Sequence, residues 1–443
     1  MNASNSRRTL SVRNILLVQI AVIAAFAVAW FLLPDFRKNE VRAELLSRAI
    51  PVDVPLTENR PIRVSSLHND PEVVTDEELA AVLTKVAPRF GTENLRPNYV
   101  EHALRIWGSS MTFQSPGLMS GKQMTEFLTD SAKYMESWSD RSTPILDSVS
   151  DGVTVRWGGD RSASVHHDHL LACLTEAGVP LDTPVFTMTR RMEFRDVLKQ
   201  ALRDFHVDEM ETEWSIMAFG FWLAPQGIAS WHNGEGREIS FDLLAKRLMR
   251  NIRKHGVCLG THRVYSLMVL LRLNETYGGH LIQEETKKEI TEYLEEVRDL
   301  ISVAQAADGS WPPNWTDGAE AEAKKSSKEK PSQRVIATGH HLEWLAIAPL
   351  SLHPDRAQIR RAADWAIKNT IDTPQSVIDE NYTFYSHVGN CLALWRQTTP
   401  AEFWAKWRET HPDCEKFADP VNAPEGKKPA SDSAAPTVSE NAH

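Results

Sequence analysis

The amino-acid sequence predicts an all-α protein, an (α/α)6 toroid of helical hairpins preceded by one N-terminal transmembrane helix. Three observations lead to this prediction. A run of nineteen mostly apolar residues stands near the N-terminus, two kinds of helical segment alternate through the middle of the chain, and similar residues recur about every 48 residues. Together they predict one large helical domain attached to a membrane.

The apolar run covers residues 15–33, and Gln19 is its one strongly polar member. At about 1.5 Å rise per residue it spans roughly 28 Å, close to the thickness of a bilayer core. A secretory signal peptide is the alternative, but no small-x-small cleavage site follows the run. Arginines flank it on both sides, so charge does not set its orientation. A short tail, one helix and then a large domain is the layout of a bacterial signal anchor, which predicts a main domain outside the cytoplasm.

Composition narrows the classes of protein and partner. The chain has 443 residues, of which 42% are hydrophobic, enough for one large domain or two ordinary ones. Its net charge is -10, and the sequence has no stripe of basic residues interleaved with aromatic ones. Nucleic acid is therefore not an expected partner. The 4 cysteines lie far apart with no C-x-x-C pair, which indicates neither a disulfide framework nor a zinc ribbon.

Changes in composition mark the boundaries of the segments. Prolines interrupt the residues after the apolar run, and the C-terminal end is rich in Pro, Ala, Ser and charge, with too few large apolar residues to order itself. A charged tract at 317–334 interrupts the domain and predicts an exposed loop. We therefore predict an N-terminal tail at 1–14, a transmembrane anchor at 15–34, a stalk at 35–75, a toroid domain at 76–415 and a disordered tail at 416–443.

The apolar helical segments begin with similar residues, in what we call the repeat frame. The frame has a polar or aromatic residue at its first position, a second residue, polar in most of the matches, three positions later, and an apolar residue two positions after that. Successive starts are about 48 residues apart, except where the charged tract adds about 30. The five matches are His166-x-x-His169-x-Leu171, Trp214-x-x-Met217-x-Phe219, His262-x-x-Tyr265-x-Leu267, His340-x-x-Glu343-x-Leu345 and His387-x-x-Asn390-x-Leu392.

Each repeat contains one amphipathic and one apolar helix, which is an αα-hairpin unit. Residues 99–135 supply a sixth pair, although their sequence matches the frame poorly. Six hairpins that close on themselves form an (α/α)6 toroid, and an open solenoid of the HEAT type is the rival. Closure is favoured because the inner helices of a solenoid keep a solvated face, which these apolar segments lack.

One short motif resembles a family with this fold. The stretch from Gln305 through Asp308, Gly309 and Ser310 to Trp311 is similar to the QW motif of the terpenoid cyclase and protein prenyltransferase superfamily, which has α/α toroids. The resemblance implies that Gln305 and Trp311 tie an outer helix to the next loop. It does not extend to the chemistry, because the chain has no DxDD or DDxxD acid motif, and Gly256 stands where the prenyltransferase zinc site has its Asp.

A second short motif resembles a sugar-processing family. The residues from Gly339 to Trp344 are similar to the GHxxEW stretch of N-acylglucosamine 2-epimerases, which are also (α/α)6 barrels and use histidines as acid and base. The match covers six residues, and it implies a sugar-type cavity.

In a closed toroid the inner helices run in the same direction, so the frame starts meet at one end of the central cavity. Histidine titrates near neutrality and tryptophan offers flat faces to sugar rings, so this end suits acid and base catalysis on a carbohydrate. His340 or His262 would remove a proton and Glu343 or Tyr385 would supply one, as in epimerisation or uronate β-elimination. The predicted catalytic residues are His262, His340, Glu343, His387 and Tyr385; the predicted substrate-binding residues are His166, Asp168, Glu213, Trp214, His341 and Trp344.

Several alternatives remain open. The carboxylates of Glu213 and Glu343 would instead suggest hydrolysis. The set Cys258, His262 and His340 is an alternative zinc site, since Cys-x3-His puts two ligands about one helical turn apart. Polar residues at the start of a buried helix also satisfy free backbone N–H groups. The chain would then be a non-catalytic binding or scaffold protein, and isoprenoid chemistry is a third option.

Overall fold

The computed structural model describes residues 12–34, 37–38, 41–42, 45, 54–138, 142–150, 152–209, 211–250 and 256–416. Helices account for 58% of the described residues, and the described strands are short. The predicted all-α class with one N-terminal apolar helix is confirmed at this level. Most of the predicted N-terminal tail, much of the first half of the stalk and nearly all of the C-terminal tail lie outside the described residues.

The described helices and strands follow one another in a simple order. In chain order the helices are α1 (Val12–Leu32), α2 (Asp76–Lys85), α3 (Pro97–Trp107), α4 (Gly121–Thr129), α5 (Ser131–Trp138), α6 (His169–Glu176), α7 (Phe194–Asp204), α8 (Glu213–Leu223), α9 (Phe241–Leu248), α10 (Val257–Thr276), α11 (Glu284–Ala304), α12 (Pro331–Ile347), α13 (Arg356–Asp372), α14 (Gln375–Glu380), α15 (Tyr382–Trp395) and α16 (Pro400–Thr410). The strands form three antiparallel hairpins: β1 (Leu146–Ser148) with β2 (Val153–Val155), β3 (Pro184–Phe186) with β4 (Arg191–Glu193), and β5 (Ser230–His232) with β6 (Glu238–Ser240).

Helix α1 is the apolar helix that the sequence predicts. Its segment Arg13–Leu32 is long and apolar enough to cross a membrane, and it buries nothing against the rest of the protein. Phe31 is 80% exposed, which is unfavourable in water for so large an apolar side chain. A single-pass anchor and a signal sequence are both compatible with this helix.

Six helices, which we call the core helices, form a closed series of contacts: α3, α6, α8, α10, α12 and α15. Each one contacts the next along the chain, and α15 contacts α3. Neighbours run in the same direction, because their starts and their ends pair. At the starts of α6 and α8, Ser215 Oγ donates to Asp168 Oδ2 at 2.5 Å. At their ends, Trp222 Nε1 donates to Thr175 Oγ1 at 3.0 Å.

Burial explains why the core helices have almost no polar face. Every residue of α8, EWSIMAFGFWL, is buried. The amphipathic helices pack outside them with one apolar side each, as α11 does with Ile290, Leu294, Val297 and Ile301. Each fully buried Leu or Ile stabilises the fold by about 1.5–3 kcal/mol relative to an exposed one. The core helices therefore form the interior of the domain.

Residues 54–75, which we call the N-terminal strap, cross the C-terminal ends of several core helices. The Ile62 N–H donates to Phe221 O at 3.4 Å, and the Ser66 hydroxyl donates to Ala346 O at 2.8 Å. The Asp70 N–H donates to Trp395 O at 2.8 Å. These carbonyls belong to the last turns of α8, α12 and α15, which have no helical partner of their own. The strap thus supplies donors to three helix ends.

The predicted charged tract forms a connection before α12. Residues 322–328 are exposed, and α12 begins at Pro331, so the tract ends inside the helix. Its first residues belong to a short 3-10 helix, Trp315–Glu320, which begins before the tract and in which Trp315 is buried.

Candidate functional site

The centre of the polar cluster is the Glu343 carboxylate on α12, which is fully buried. Its Oε2 accepts from His340 Nδ1 at 2.9 Å and from His387 Nδ1 at 3.0 Å. Its Oε1 accepts from Asn390 Nδ2 at 2.7 Å and from Arg105 Nη1 at 3.2 Å. Four donors therefore satisfy this one anion inside the protein.

The repeat frame explains how these side chains meet. His340 and Glu343 are three residues apart on α12, so they lie on one face of the helix. His387 and Asn390 have the same spacing on α15, which packs alongside α12 in the same direction. The first and second frame positions of the two helices therefore lie side by side.

The charges of the cluster are set by burial and by its partners. Burial opposes ionisation of Glu343, but His387 and Arg105 together hold the pKa of this carboxyl well below its usual range. Burial, with His387 nearby, lowers the pKa of His340 to about 3. The cluster therefore contains a carboxylate at Glu343, a guanidinium at Arg105 and a neutral imidazole at His340 at neutral pH.

A second polar group lies between α3 and α6. Glu101 Oε2 is hydrogen-bonded to His169 Nδ1, and the other ring nitrogen of His169 contacts Cys173 Sγ at 3.5 Å. Burial raises the pKa of Glu101 to about 8 and lowers the pKa of His169 well below its usual range. The pair is therefore a neutral acid beside a neutral imidazole at pH 7. His102 stands between the two groups, with its ring centroid 4.8 Å from that of His169 and 5.2 Å from that of His387.

The predicted substrate-binding residues on α8 and just before α6 lie at the start of the core helices. His166 Nδ1 is 2.5 Å from Glu211 Oε2, and its ring stacks on Trp214 with 6.2 Å between centroids. Asp168 accepts from the Ser215 hydroxyl, as described above. Glu213 is buried, and within the described residues its carboxylate oxygens have no hydrogen-bond partner. Burial raises the pKa of Glu213 to about 7.

Trp214 joins this group to the other histidines. Its ring centroid is 4.5 Å from that of His169 and 4.5 Å from that of His262. His262 Nε2 in turn lies 3.2 Å from His340 Nε2. The structure therefore brings together His166, Trp214, His262, His340, Glu343 and His387 as one connected set.

Three predicted residues lie elsewhere. Tyr385 has its hydroxyl 3.4 Å from that of Thr373, on the side of α15 that faces α13. His341 accepts from Trp344 Nε1 at 3.1 Å, and its ring packs edge-on against Trp315. His341 and Trp344 each directly follow a cluster residue in the chain, and Tyr385 lies two positions before one. The rotation of the helix therefore turns these three side chains away from the cluster.

Sequence reasoning missed several members of the cluster. Helix α3 carries His102-x-x-Arg105-x-Trp107, which fits the repeat frame, but it starts about 64 residues before His166 rather than about 48. The added length comes from α5 and the β1–β2 hairpin. A search for the spacing of the repeat frame alone, without the 48-residue period, would have identified Arg105. The members missed as site residues are Glu101, His102, Arg105, Glu176, Tyr265 and Asn390.

A pocket opens at the C-terminal ends of the core helices. This is the end opposite to the frame starts, and the expected mouth there is not seen around His340 and His387, which are 2% and 1% exposed. Arg105 forms part of the floor and binds Glu176 Oε2 through Nε at 2.6 Å. The polar side chains that line the pocket are those of Arg63, Arg105, Glu176, Tyr265, Asn390 and Thr399.

Two overlapping sets of side chains have the donor atoms for a metal ion. Cys258, His262 and His340 form one, and His340, Glu343 and His387 form the other, with all donor atoms of a set within 4.8 Å of one another. Comparisons with known proteins add no assignment: no family model, no curated protein and no solved structure matches the chain.

Proposed function

We propose that this protein is a membrane-anchored (α/α)6-toroid enzyme that acts on a glycan-type substrate by proton transfer. The closed series of contacts among the six core helices, all running one way, supports the toroid. Helix α1 would anchor the domain, with the pocket outside the cytoplasm.

The observation that carries the proposal is the link that Arg105 makes between the pocket and the buried cluster. The guanidinium binds Glu176, which lines the pocket, and also Glu343, which lies beneath it. Asn390 makes the same connection, because it lines the pocket and donates to Glu343. A substrate in the pocket would therefore contact groups that are bonded directly to the acid–base cluster.

Within the cluster, His387 has the arrangement of a general base. Its Nδ1 is 3.0 Å from Glu343 Oε2, and its Nε2 is buried with no hydrogen-bond partner in the described part of the chain. Nδ1 also lies 3.2 Å from Arg105 Nη1, which can only donate, so Nε2 would carry a free lone pair when the proton on Nδ1 is donated to Glu343. Burial of an unpaired acceptor is costly, which favours a use in binding or catalysis.

The pocket favours a neutral ligand rich in hydroxyl groups. Arg63 and Arg105 supply positive charge, while Glu176 and the underlying Glu343 supply negative charge, so the charges balance. Tyr265 and Asn390 add groups that both donate and accept hydrogen bonds. Isoprenoid chemistry would need a deep aromatic-lined apolar chamber. Ile62, Val64 and Phe221 line part of this pocket, but Arg105 and Glu176 place charges in it.

The test is a substrate screen on the full chain purified in detergent. Neutral and acidic oligosaccharides are incubated with it, and products are followed by mass spectrometry. Glu176→Gln and His387→Gln are expected to lower kcat/KM at least about 100-fold, the range for removal of a general acid or base. The control is Glu126→Gln, which removes an exposed carboxylate whose side chain is 45% accessible.

Binding measured in the same screen separates the main candidate from its alternative. Saturable binding that Glu176→Gln abolishes, without any turnover, would identify a binding protein that uses the same pocket. Neither binding nor turnover across the screen would overturn the proposal.

A further inference from the structure

We propose that Cys258, His262 and His340 bind a zinc ion where α10 packs against α12. The inference goes beyond the proposed reaction and does not depend on it, because metal binding can be measured on the resting protein. Three observations support it: the spacing of two ligands on one helix, the distance between the two imidazole nitrogens, and the partner that orients His340.

Two of the ligands come from consecutive turns of α10. Cys258 and His262 are four residues apart, so their side chains lie on the same face of the helix. Cys258 stands in the first turn of α10, and burial raises the pKa of its thiol, so the sulfur would become a thiolate when a bound metal displaces its proton. The helix therefore presents a sulfur and a nitrogen in one direction.

The third ligand comes from α12, at a distance that suits a shared ion. His340 Nε2 lies 3.2 Å from His262 Nε2. Two imidazole nitrogens that each bind one tetrahedral zinc at about 2.05 Å are separated by roughly 3.3 Å. The Cys258 sulfur completes the set, with all three donor atoms within 4.8 Å of one another.

Glu343 fixes the ring of His340 in the orientation that metal binding needs. The carboxylate accepts from Nδ1 at 2.9 Å, which leaves the lone pair of Nε2 facing His262. Histidine ligands of zinc commonly donate their other N–H to a carboxylate in this way. Glu343 already accepts from four donors, so it serves as the positioning residue and not as a ligand itself.

The composition of the site favours zinc with an open coordination position. One thiolate and two imidazoles suit zinc better than magnesium or calcium, which prefer oxygen ligands. Three protein ligands leave the fourth position to water or to a substrate, as in catalytic zinc sites. Cys258 is only partly buried, and Gly256, two residues before it, lines a surface pocket, which would provide a route of entry.

The first experiment measures the metal content of the full chain purified in detergent without added metal. About one zinc per chain is expected by elemental analysis. Cys258→Ser and His262→Ala are each expected to lower the zinc content at least about tenfold, the loss that follows when a tetrahedral site is opened. Cys173→Ser is the matched control, because Cys173 is also beside a histidine, His169, but lies outside the set.

The second experiment keeps the inference testable if those variants fail to fold. Cobalt(II) is added to the native chain after its metal has been removed with a chelator, and the absorption spectrum is recorded. A thiolate-to-cobalt charge-transfer band is expected in the native chain and in Cys173→Ser. No zinc and no band in the native chain, or a band lost in Cys173→Ser but kept in Cys258→Ser, would overturn the inference. A chain that binds zinc but turns over no glycan would contradict only the proposed function.

Discussion

Arg105 Nη1 lies 3.2 Å from Glu343 Oε1, and both side chains are almost completely buried. The same guanidinium binds Glu176, so one cation holds two carboxylates that come from different helices. Removing one member of a buried ion pair is strongly destabilising, because the remaining charge loses its compensation. This contact is therefore important for the stability of the domain as well as for the proposed site.

The Glu343→Gln substitution tests this relationship. The free energy of unfolding is expected to fall by about 3 kcal/mol, since Arg105 keeps only Glu176 and two imidazoles lose their anionic partner. Urea denaturation of the full chain in detergent measures the change. Glu126, whose side chain is 45% exposed and pairs with Lys122, is the control, and its Gln variant should lie within about 0.5 kcal/mol of the native chain. An equal effect of both variants would contradict the importance of the buried pair.

Glu101→Gln is expected to change the dependence of stability on pH. The pKa of Glu101 is about 8 in the folded chain, because burial disfavours its charged form, and its ordinary value is 4.5. Between these two pH values the folded state keeps a proton that the unfolded state has released, so the free energy of unfolding falls as pH rises. Glutamine removes this penalty while it can still donate to His169.

The measurement for Glu101→Gln is a set of urea midpoints at pH 5, 7 and 8. The variant should exceed the native chain by about 4 kcal/mol at pH 8, and the two should lie within about 1 kcal/mol of each other at pH 5. Glu292→Gln, at a side chain that is 61% exposed, should show no such trend. A difference that is the same at every pH would contradict titration of Glu101 as the cause.

Five of the six core helices could be found from the sequence because the residues of their repeat frame keep a regular spacing. Period and apolarity are local properties, and they predict that a helix is buried without knowledge of its neighbours. They also identified His262, His340, Glu343 and His387 as members of one cluster. Helix α3 escaped because additional helices and a strand hairpin lengthen its repeat.

The partners of these side chains could not be predicted in the same way. Arg105 and Glu343 are 238 residues apart in the chain, and only the packing of α3 against α15, and of α15 against α12, brings them together. The position of the pocket was also beyond the sequence. It depends on the N-terminal strap, whose Ile62 and Val64 line its wall and whose backbone is bonded to the ends of the helices.

A histidine near the strap predicts a loss of stability in acid. His353 Nε2 lies 2.8 Å from Leu345 O, and burial lowers the pKa of this imidazole to about 4. Between pH 6.5 and pH 4 the unfolded state binds a proton that the folded state does not, so the free energy of unfolding falls as pH falls. His353→Gln keeps a donor but cannot titrate. It should lose about 2 kcal/mol less than the native chain between pH 7 and pH 4, whereas exposed His280→Gln should behave like the native chain.

The turn that contains Gln305 and Trp311 connects two helices, α11 and α13, which predicts a large effect on stability. Gln305 Nε2 donates to Gly309 O at 2.9 Å within the turn and to Gln358 O at 2.8 Å in α13. Trp311 is fully buried and donates through Nε1 to Ile301 O, in α11, at 2.9 Å. The turn therefore holds the end of α11 against the start of α13, whatever the ancestry of the motif.

Truncation of the two side chains is expected to reduce the free energy of unfolding by different amounts. Trp311→Ala should lose about 3–5 kcal/mol, because it removes a large buried side chain and leaves a cavity. Gln305→Ala should lose about 2 kcal/mol, because it leaves two carbonyl groups without their donor. The control is Trp157, which is 47% exposed, so Trp157→Ala should change stability by less than about 1 kcal/mol. If Trp311→Ala lost no more stability than Trp157→Ala, the turn would not hold the helices together. Removal of a buried side chain that spans two helices must cost more stability than removal of an exposed one.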